Sequence, residues 1–291
     1  MKPKNENRVL LDHHYYRTIA VKAGGMGRVW LLIKDPAEQF DWIYRSGLAV
    51  KTFDFVNDEQ IVEQELNHWV TLDHPAILPL LKIGRLNYQL AAVMPMREGS
   101  LQDLLEEHRV LGEKEVLSIL RQLISGLDYA YHRWTLLHLD LKPSNVLILS
   151  KNPLKVQIAD WGISRLAGEQ MLANTKARKG LTNRGEMITS YSAGTPIFMA
   201  PERFSGLWSL SPQADIYSLG MMAIMLNTGV LPFRFGPIDP VDEIITGSYM
   251  ENVKTILSDR SPSFVRLCFE CIHPLAEHRP KNYQDLVRHI R

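Results

Sequence analysis

The sequence predicts an α+β chain of two lobes, a small strand-rich one followed by a larger helical one. Three observations carry that expectation. Up to about residue 95 the apolar residues come in short runs, and beyond residue 100 they fall into helical stripes. Between the two stands Met94-Pro95-Met96-Arg97-Glu98-Gly99, whose proline and glycine suit a short connector. The size agrees: 291 residues, 45% hydrophobic and 22% charged, suffice for one large domain or two lobes. No internal repeat recurs and no low-complexity tract interrupts the chain.

In the first lobe, the runs Val29-Trp30-Leu31-Leu32-Ile33, Gly47-Leu48-Ala49-Val50-Lys51-Thr52-Phe53 and Leu90-Ala91-Ala92-Val93-Met94 read as strands. One helix breaks in, where Ile61, Glu65, His68, Trp69 and Leu72 follow a period of about 3.6 residues until His74-Pro75 stops it. In the second lobe, Val116, Ile119, Leu120, Leu123, Ile124, Leu127 and Tyr131 form one continuous stripe, so a helix runs to about Arg133. A hairpin follows: Val146-Leu147-Ile148-Leu149, a turn at Lys151-Asn152-Pro153, then Val156-Gln157-Ile158-Ala159 leading into Asp160-Trp161-Gly162. Its geometry brings Asn145 and Asp160 to the same end. Asn282 caps a last helix whose stripe is Tyr283, Leu286, Val287 and Ile290. A cleft between the lobes is the expected ligand site.

Charge narrows the function classes. With 33 basic against 32 acidic residues, a net +1, the chain offers no electrostatic footprint for DNA, RNA or an anionic membrane. Its first residues, MKPKNENRVLLDHHYY, do not read as a secretory signal, and the longest apolar stretch, Ile216 to Leu226, is broken by Tyr217, Ser218 and Gly220. That stretch is far short of the ~20 residues of a membrane span. A soluble, cytoplasmic protein is expected. Cys268 and Cys271 have half of a zinc-site spacing, but no second pair exists and both sit in an apolar helical pattern, so they read as buried structural thiols.

The chemistry concentrates in His138-Leu139-Asp140-Leu141-Lys142-Pro143-Ser144-Asn145, an acid, a base and an amide between two apolar stretches. Oxygen donors at Asn145 and Asp160, held at one end of a hairpin, suit a hard cation such as magnesium. Here the chain resembles the eukaryotic-type, or Hanks-type, serine/threonine protein kinases, from about Val21 to the C-terminus. The resemblance implies a two-lobed kinase fold, with 1–94 as the N-lobe, 95–99 as the hinge and 100–291 as the C-lobe. It makes 22–29 the phosphate-binding loop, 138–145 the catalytic loop and 160–202 the activation segment. By position Asp140 is the base for an attacking hydroxyl, Lys142 contacts the γ-phosphate, and Asn145 and Asp160 hold the metal.

Further pieces follow in family order. Lys22-Ala23-Gly24-Gly25-Met26-Gly27-Arg28-Val29 resembles the glycine-rich loop that covers the phosphates of ATP, with Lys22 in place of the first glycine; its Gly24-Gly25-Met26-Gly27 run is similar to bacterial members. Leu48-Ala49-Val50-Lys51 resembles the family's Val-Ala-Ile-Lys strand, which makes Lys51 the α- and β-phosphate ligand, Glu65 its helix partner with Glu63 as the substitute, and Ala49 part of the nucleotide pocket. Met94 takes the gatekeeper position, Met96 offers backbone to the adenine, and Ser100 or Asp103 reaches the ribose. Ala193-Gly194-Thr195-Pro196-Ile197-Phe198-Met199-Ala200-Pro201-Glu202 resembles the close of the activation segment, Asp215 the aspartate that braces the loop backbone, and Arg279 the partner of Glu202.

Lys142-Pro143-Ser144 and Gly194-Thr195 resemble the serine/threonine class, with Thr195 bracing Asp140 and Lys142, so the implied partner is a protein with serine or threonine acceptors. Small-molecule phosphotransferases share the His-x-Asp-x-x-x-x-Asn loop but lack the Ala-Pro-Glu segment; a pseudokinase is the other alternative. Autophosphorylation would use Thr182, Thr189, Ser190 or Ser192, in a segment made basic by Lys176, Arg178, Lys179 and Arg184. Two departures remain. Leu139 stands where many members carry an arginine that binds a phosphorylated segment residue; leucine has no donor, so independence from that phosphorylation is expected. Trp161 replaces the phenylalanine of Asp-Phe-Gly, keeping an apolar plug but changing the pocket volume.

Overall fold

The computed structural model describes residues 7–24, 27–39, 47–54, 59–161, 196–204, 211–233 and 240–290. Six strands close into an antiparallel barrel: β1 (Arg8–Leu11), β2 (His14–Gly24), β3 (Gly27–Lys34), β4 (Leu48–Phe53), β5 (Lys82–Leu86) and β6 (Gln89–Pro95), in the order β1-β2-β3-β4-β6-β5. Leu11 pairs with Leu86 to shut the ring. Strand β4 shows why an apolar run can be a strand: it is buried at every position, because both faces are covered. Leu48 and Val50 join Leu32, Val93 and Leu11 inside the barrel, while Ala49 and Phe53 pack with Ala92 and Met94 into the larger core outside it. Lys51, two residues from Ala49, therefore leaves the barrel on the cleft side.

Helix α1 (Glu59–Val70) buries Val62, Leu66 and Trp69, one face at i, i+4, i+7, and Trp69 Nε1 donates to the Leu78 carbonyl at 2.7 Å. The sequence stripe was one residue out of phase here: Ile61 is exposed, because Val62 supplies the face turned to the core.

The second lobe is built on α2 (Leu101–Glu106), α3 (Glu113–Trp134), α4 (Pro212–Thr228), α5 (Pro240–Thr246), α6 (Met250–Ile256), α7 (Pro262–Cys271) and α8 (Tyr283–His289). Helix α3 buries the expected stripe from Val116 to Leu127. Helix α4 is buried nearly all round, which explains why its sequence is an apolar run and not an amphipathic one. Asn282 caps α8 by accepting from Asp285 N at 2.8 Å, but Val287 points to solvent. No helix among the described residues is long and apolar enough to cross a membrane. Cys268 and Cys271 lie buried in α7, where burial pushes both thiols up.

The hairpin of β7 (Val146–Lys151) and β8 (Leu154–Ile158) pairs Val146 with Ile158. It is pinned from both sides: Leu78 N donates to Ile158 O at 2.9 Å and Ile148 N to Gly99 O at 2.8 Å. Those bonds fix where its two open ends, Asn145 and Asp160, stand against the barrel.

Candidate active site

The loop 138–145 converges on one carboxylate. Lys142 Nζ lies 2.7 Å from Asp140 Oδ2, and Asn145 Nδ2 donates to the same oxygen at 2.9 Å and to the Asp140 carbonyl at 2.8 Å. Among the described residues, both side-chain donors to this carboxylate fall on Oδ2. The backbone is held from below: His138 N and Leu139 N donate to Asp215 Oδ2 and Oδ1 at 2.9 and 2.7 Å. Asp215 is fully buried at the start of α4, so its charge is met by these N–H groups rather than by water. His138, also buried, donates from Nε2 to the Ala159 carbonyl at 2.8 Å and accepts from Asp140 N on Nδ1 at 3.3 Å, which sets its tautomer. The loop and the end of β8 are thereby tied together.

Across the cleft, Lys51 Nζ sits 2.7 Å from Asp160 Oδ2. Burial raises the Asp160 carboxyl, but Lys51, with Lys142 behind it, outweighs that and holds the group below its ordinary value. Asp160 itself is at φ 63, a conformation in which aspartate is more at home than most side chains. Glu65, the expected helix partner of Lys51, is half-buried on α1 and the more inward of Glu63 and Glu65. Asn145, with its amide nitrogen turned to Asp140, has a carbonyl oxygen on the other side; that oxygen and the Asp160 carboxylate are hard donors of the kind magnesium takes.

In the glycine-rich stretch, Lys22 pairs with Val29 and Gly24 with Gly27 across β2 and β3. Gly25 and Met26 lie outside the described residues. Gly27 has φ 143, and a Cβ there would fall 1.9 Å from the Thr52 carbonyl oxygen. Close approach thus comes from the neighbouring strand, a reason for glycine that exists before any phosphate does. Lys22, in place of the first glycine, reaches Asp103 Oδ1 at 3.8 Å, and Ala23 is exposed beside it. Asp103 and Ser100 form a capping box on α2, with Ser100 N donating to Asp103 Oδ2 at 2.7 Å and Asp103 N to Ser100 Oγ at 3.2 Å. Met94 is buried opposite Ala49. The Met96 N–H donates to the Gly47 carbonyl at 3.1 Å, because the β4–β6 ladder continues one step past Leu48–Pro95.

Trp161 is buried, its indole N–H donating to the Ile158 carbonyl at 3.1 Å and its ring 5.1 Å from the His138 imidazole, edge to face. Glu202 meets Arg279 through two bonds, of 2.8 and 2.9 Å, and the Arg279 side chain is wholly buried. Gly162, Thr182, Thr189, Ser190, Ser192, Gly194, Thr195 and the basic residues 176–184 lie outside the described residues. Two contacts were not read from the sequence. Tyr283 Oη donates to Asp215 Oδ2 at 2.8 Å, and Arg203 Nη1 donates to the Leu139 carbonyl. Tyr283 had passed for a core residue of the last stripe; for Arg203 the only signal was its place directly after Ala200-Pro201-Glu202.

A family model for the protein kinase domain matches residues 24–290. Among curated proteins, the chain is 29% identical over 318 residues to the serine/threonine-protein kinase PknD of Protochlamydia amoebophila, covering 99% of this chain and 31% of that protein. It is 33% identical over 182 residues to the probable serine/threonine-protein kinase KCC4 of Saccharomyces cerevisiae, covering 61% of this chain and 16% of that protein. The chain spans less than a third of the length of the curated relatives it matches. Among solved structures, the kinase domain of Mycobacterium tuberculosis PknI superposes with a TM-score of 0.62 at 20% identity, covering 94% of each chain. Rad53 residues 1–466 in complex with AMP-PNP superposes with 0.67 at 23% identity, covering 94% of this chain and 63% of that one. Both likenesses are of fold.

Proposed function

The chain belongs to the protein kinase domain family, and from that membership we propose that it transfers the γ-phosphoryl group of ATP to serine or threonine hydroxyls of a protein. The observation that carries the reading is the anchoring of Asp140: among the described residues the side-chain donors Lys142 and Asn145 both hold Oδ2, and Oδ1 is the oxygen that would receive the proton of an attacking hydroxyl. Lys142 stands beside that carboxylate, where its ammonium offsets charge developing on the transferred group. Lys51 and Asp160, paired across the cleft, are the residues that would hold phosphate and metal. Magnesium, held by Asn145 and Asp160, would supply charge neutralisation to the phosphates. Positioning and electrostatics therefore do the catalytic work, with no covalent intermediate on the protein.

What supports serine and threonine as acceptors is the Lys142-Pro143-Ser144 sequence and the names of the relatives. What supports independence from segment phosphorylation is Leu139, which presents no donor to a phosphate. The test is transfer from labelled ATP with magnesium, to the protein itself and to a serine-rich protein, beside Asp140→Asn and Asp160→Asn. Transfer lost in both variants is expected. A wild type that binds ATP in a thermal-shift assay but transfers nothing would instead make this a binding scaffold, and transfer only to small metabolites would make it a small-molecule phosphotransferase.

A further inference from the structure

Leu139 occupies a conformation that leucine seldom takes, φ 63, where a side chain crowds its own backbone. Its peptide groups explain how it stays there. The N–H donates to Asp215 Oδ1 at 2.7 Å, and the carbonyl accepts from Arg203 Nη1. Each is thus gripped by a charged side chain from outside the loop, Asp215 from α4 and Arg203 from the single turn Pro201–Arg203 that closes the activation segment. The carbonyl of Leu139 and the nitrogen of Asp140 share one rigid peptide plane, so whatever fixes that oxygen also orients the residue carrying the base. Burial lowers the Arg203 pKa, while Asp215, Asp140 and Glu202 around it favour its charge.

We infer that Arg203 is a positioning residue for Asp140, coupling the end of the activation segment to the catalytic loop through the Leu139 carbonyl with no phosphate in the link. The inference rests on the kinase reading above and deepens it. Where an arginine at 139 would reach out to a phosphate on the segment, here the segment supplies the arginine and the loop supplies the acceptor. A backbone carbonyl cannot be phosphorylated or dephosphorylated, so the link is present whenever the segment's end is docked, and the Glu202–Arg279 pair next to it docks that end.

The experiment measures transfer to a serine-rich protein from ATP with magnesium for wild type, R203M and R203K, each before and after phosphatase treatment. R203M is expected to lose about 10- to 100-fold in kcat, the scale of a small misplacement of a catalytic group, with KM for ATP unchanged. R203K, which can donate one bond to the same carbonyl, is expected to recover most of that loss, and phosphatase is expected to leave the wild-type rate unchanged. R203M at the wild-type kcat, a loss confined to KM for ATP, R203K no better than R203M, or a wild-type rate abolished by phosphatase would each overturn the inference. R203Q replaces R203M if the latter does not fold, with the same split expected and an unchanged kcat overturning it; failure of both to fold assigns Arg203 to stability and overturns it too. A wild type that transfers nothing refutes the kinase reading itself, and the wild-type arm tells that apart.

Discussion

Tyr283 donates its hydroxyl hydrogen to Asp215 Oδ2 at 2.8 Å, and the same oxygen accepts from His138 N at 2.9 Å. Helix α8 thereby touches the carboxylate that holds the loop 138–145, across 68 residues of sequence. Burial, then the Asp215 charge, pushes the phenol well above its ordinary pKa, so it remains a donor throughout the accessible pH range.

Tyr283→Phe removes one donor from a fully buried carboxylate while keeping the ring's packing against Tyr131. A loss of about 1.5–3 kcal/mol in unfolding free energy is expected, the range for hydrogen bonds to charged groups. Urea denaturation checks it; a change of a few tenths would mean that the two backbone N–H groups satisfy Asp215 on their own.

Arg279 is the donor for Glu202 and also for the carbonyls of His273, Gln213 and Pro274, and its side chain is entirely out of solvent. Arg279→Met leaves the carboxylate and three carbonyls facing an apolar group. The expected loss is about 3–5 kcal/mol, as for other buried pairs broken on one side. A Glu202→Gln, Arg279→Met double variant should lose less than the sum of the two single ones, since each removal strips the other of its purpose. Additive losses in thermal or urea unfolding would place the energy in packing instead.

Much of this was legible because the physics was local. The hairpin around Asn152-Pro153, strand β4 and helix α3 follow from apolar period and turn chemistry, and the hairpin alone delivers Asn145 and Asp160 to one place. What escaped was long-range. That Lys51 meets Asp160 depends on how the hairpin end lies against the barrel, which no pattern in either segment encodes. The N–H of Met96 is spent on Gly47 because the ladder runs one step further than the apolar run does. Strand β2 went unread because its outer residues, Tyr15, Ile19 and Val21, are exposed apolar ones, so the alternation that marks a half-buried strand is blurred. Arg203 and Tyr283 carry polar contacts from positions whose neighbours already had an explanation.

Acid should weaken the fold through carboxyls that are held below their ordinary value. Asp12, Asp103 and Asp160 all have this character: burial opposes their charge, but Lys82 and Arg85 N on Asp12, Ser100 and Lys22 on Asp103, and Lys51 on Asp160 outweigh it. The folded state then binds fewer protons than the unfolded one, so the stability these groups add is full above the unfolded pKa of 3.8 and is lost as pH falls through the lower folded values. The urea midpoint should hold from neutrality to about pH 5 and decline below it. Asp12→Asn with Asp103→Asn should flatten that decline; an undiminished slope would assign it to other carboxylates.

Two glycines allow the same one-carbon change to be read in two different ways. A Cβ on Gly27 would meet the Thr52 carbonyl oxygen at 1.9 Å, with φ 143 opposing any side chain, while a Cβ on Gly220 would meet Cys271 Cβ at 2.6 Å and Ile272 Cγ2 at 2.7 Å in the α4–α7 contact. Both substitutions overpack and should cost about 1–3 kcal/mol or more in unfolding. Their effect on transfer should differ. Thr52 follows Lys51 on β4, so backbone displaced by Gly27→Ala carries the ammonium away from Asp160 and from the phosphate-binding position proposed for it; KM for ATP should rise at a temperature where the variant is still folded. Gly220→Ala moves a helix seam on the far side of Asp215 and should lower the melting temperature with kcat and KM near their wild-type values while folded. If Gly220→Ala also lost activity when folded, α4 would have to transmit its strain through Asp215 to the loop, and the brace on His138 and Leu139 would be softer than its short hydrogen bonds imply.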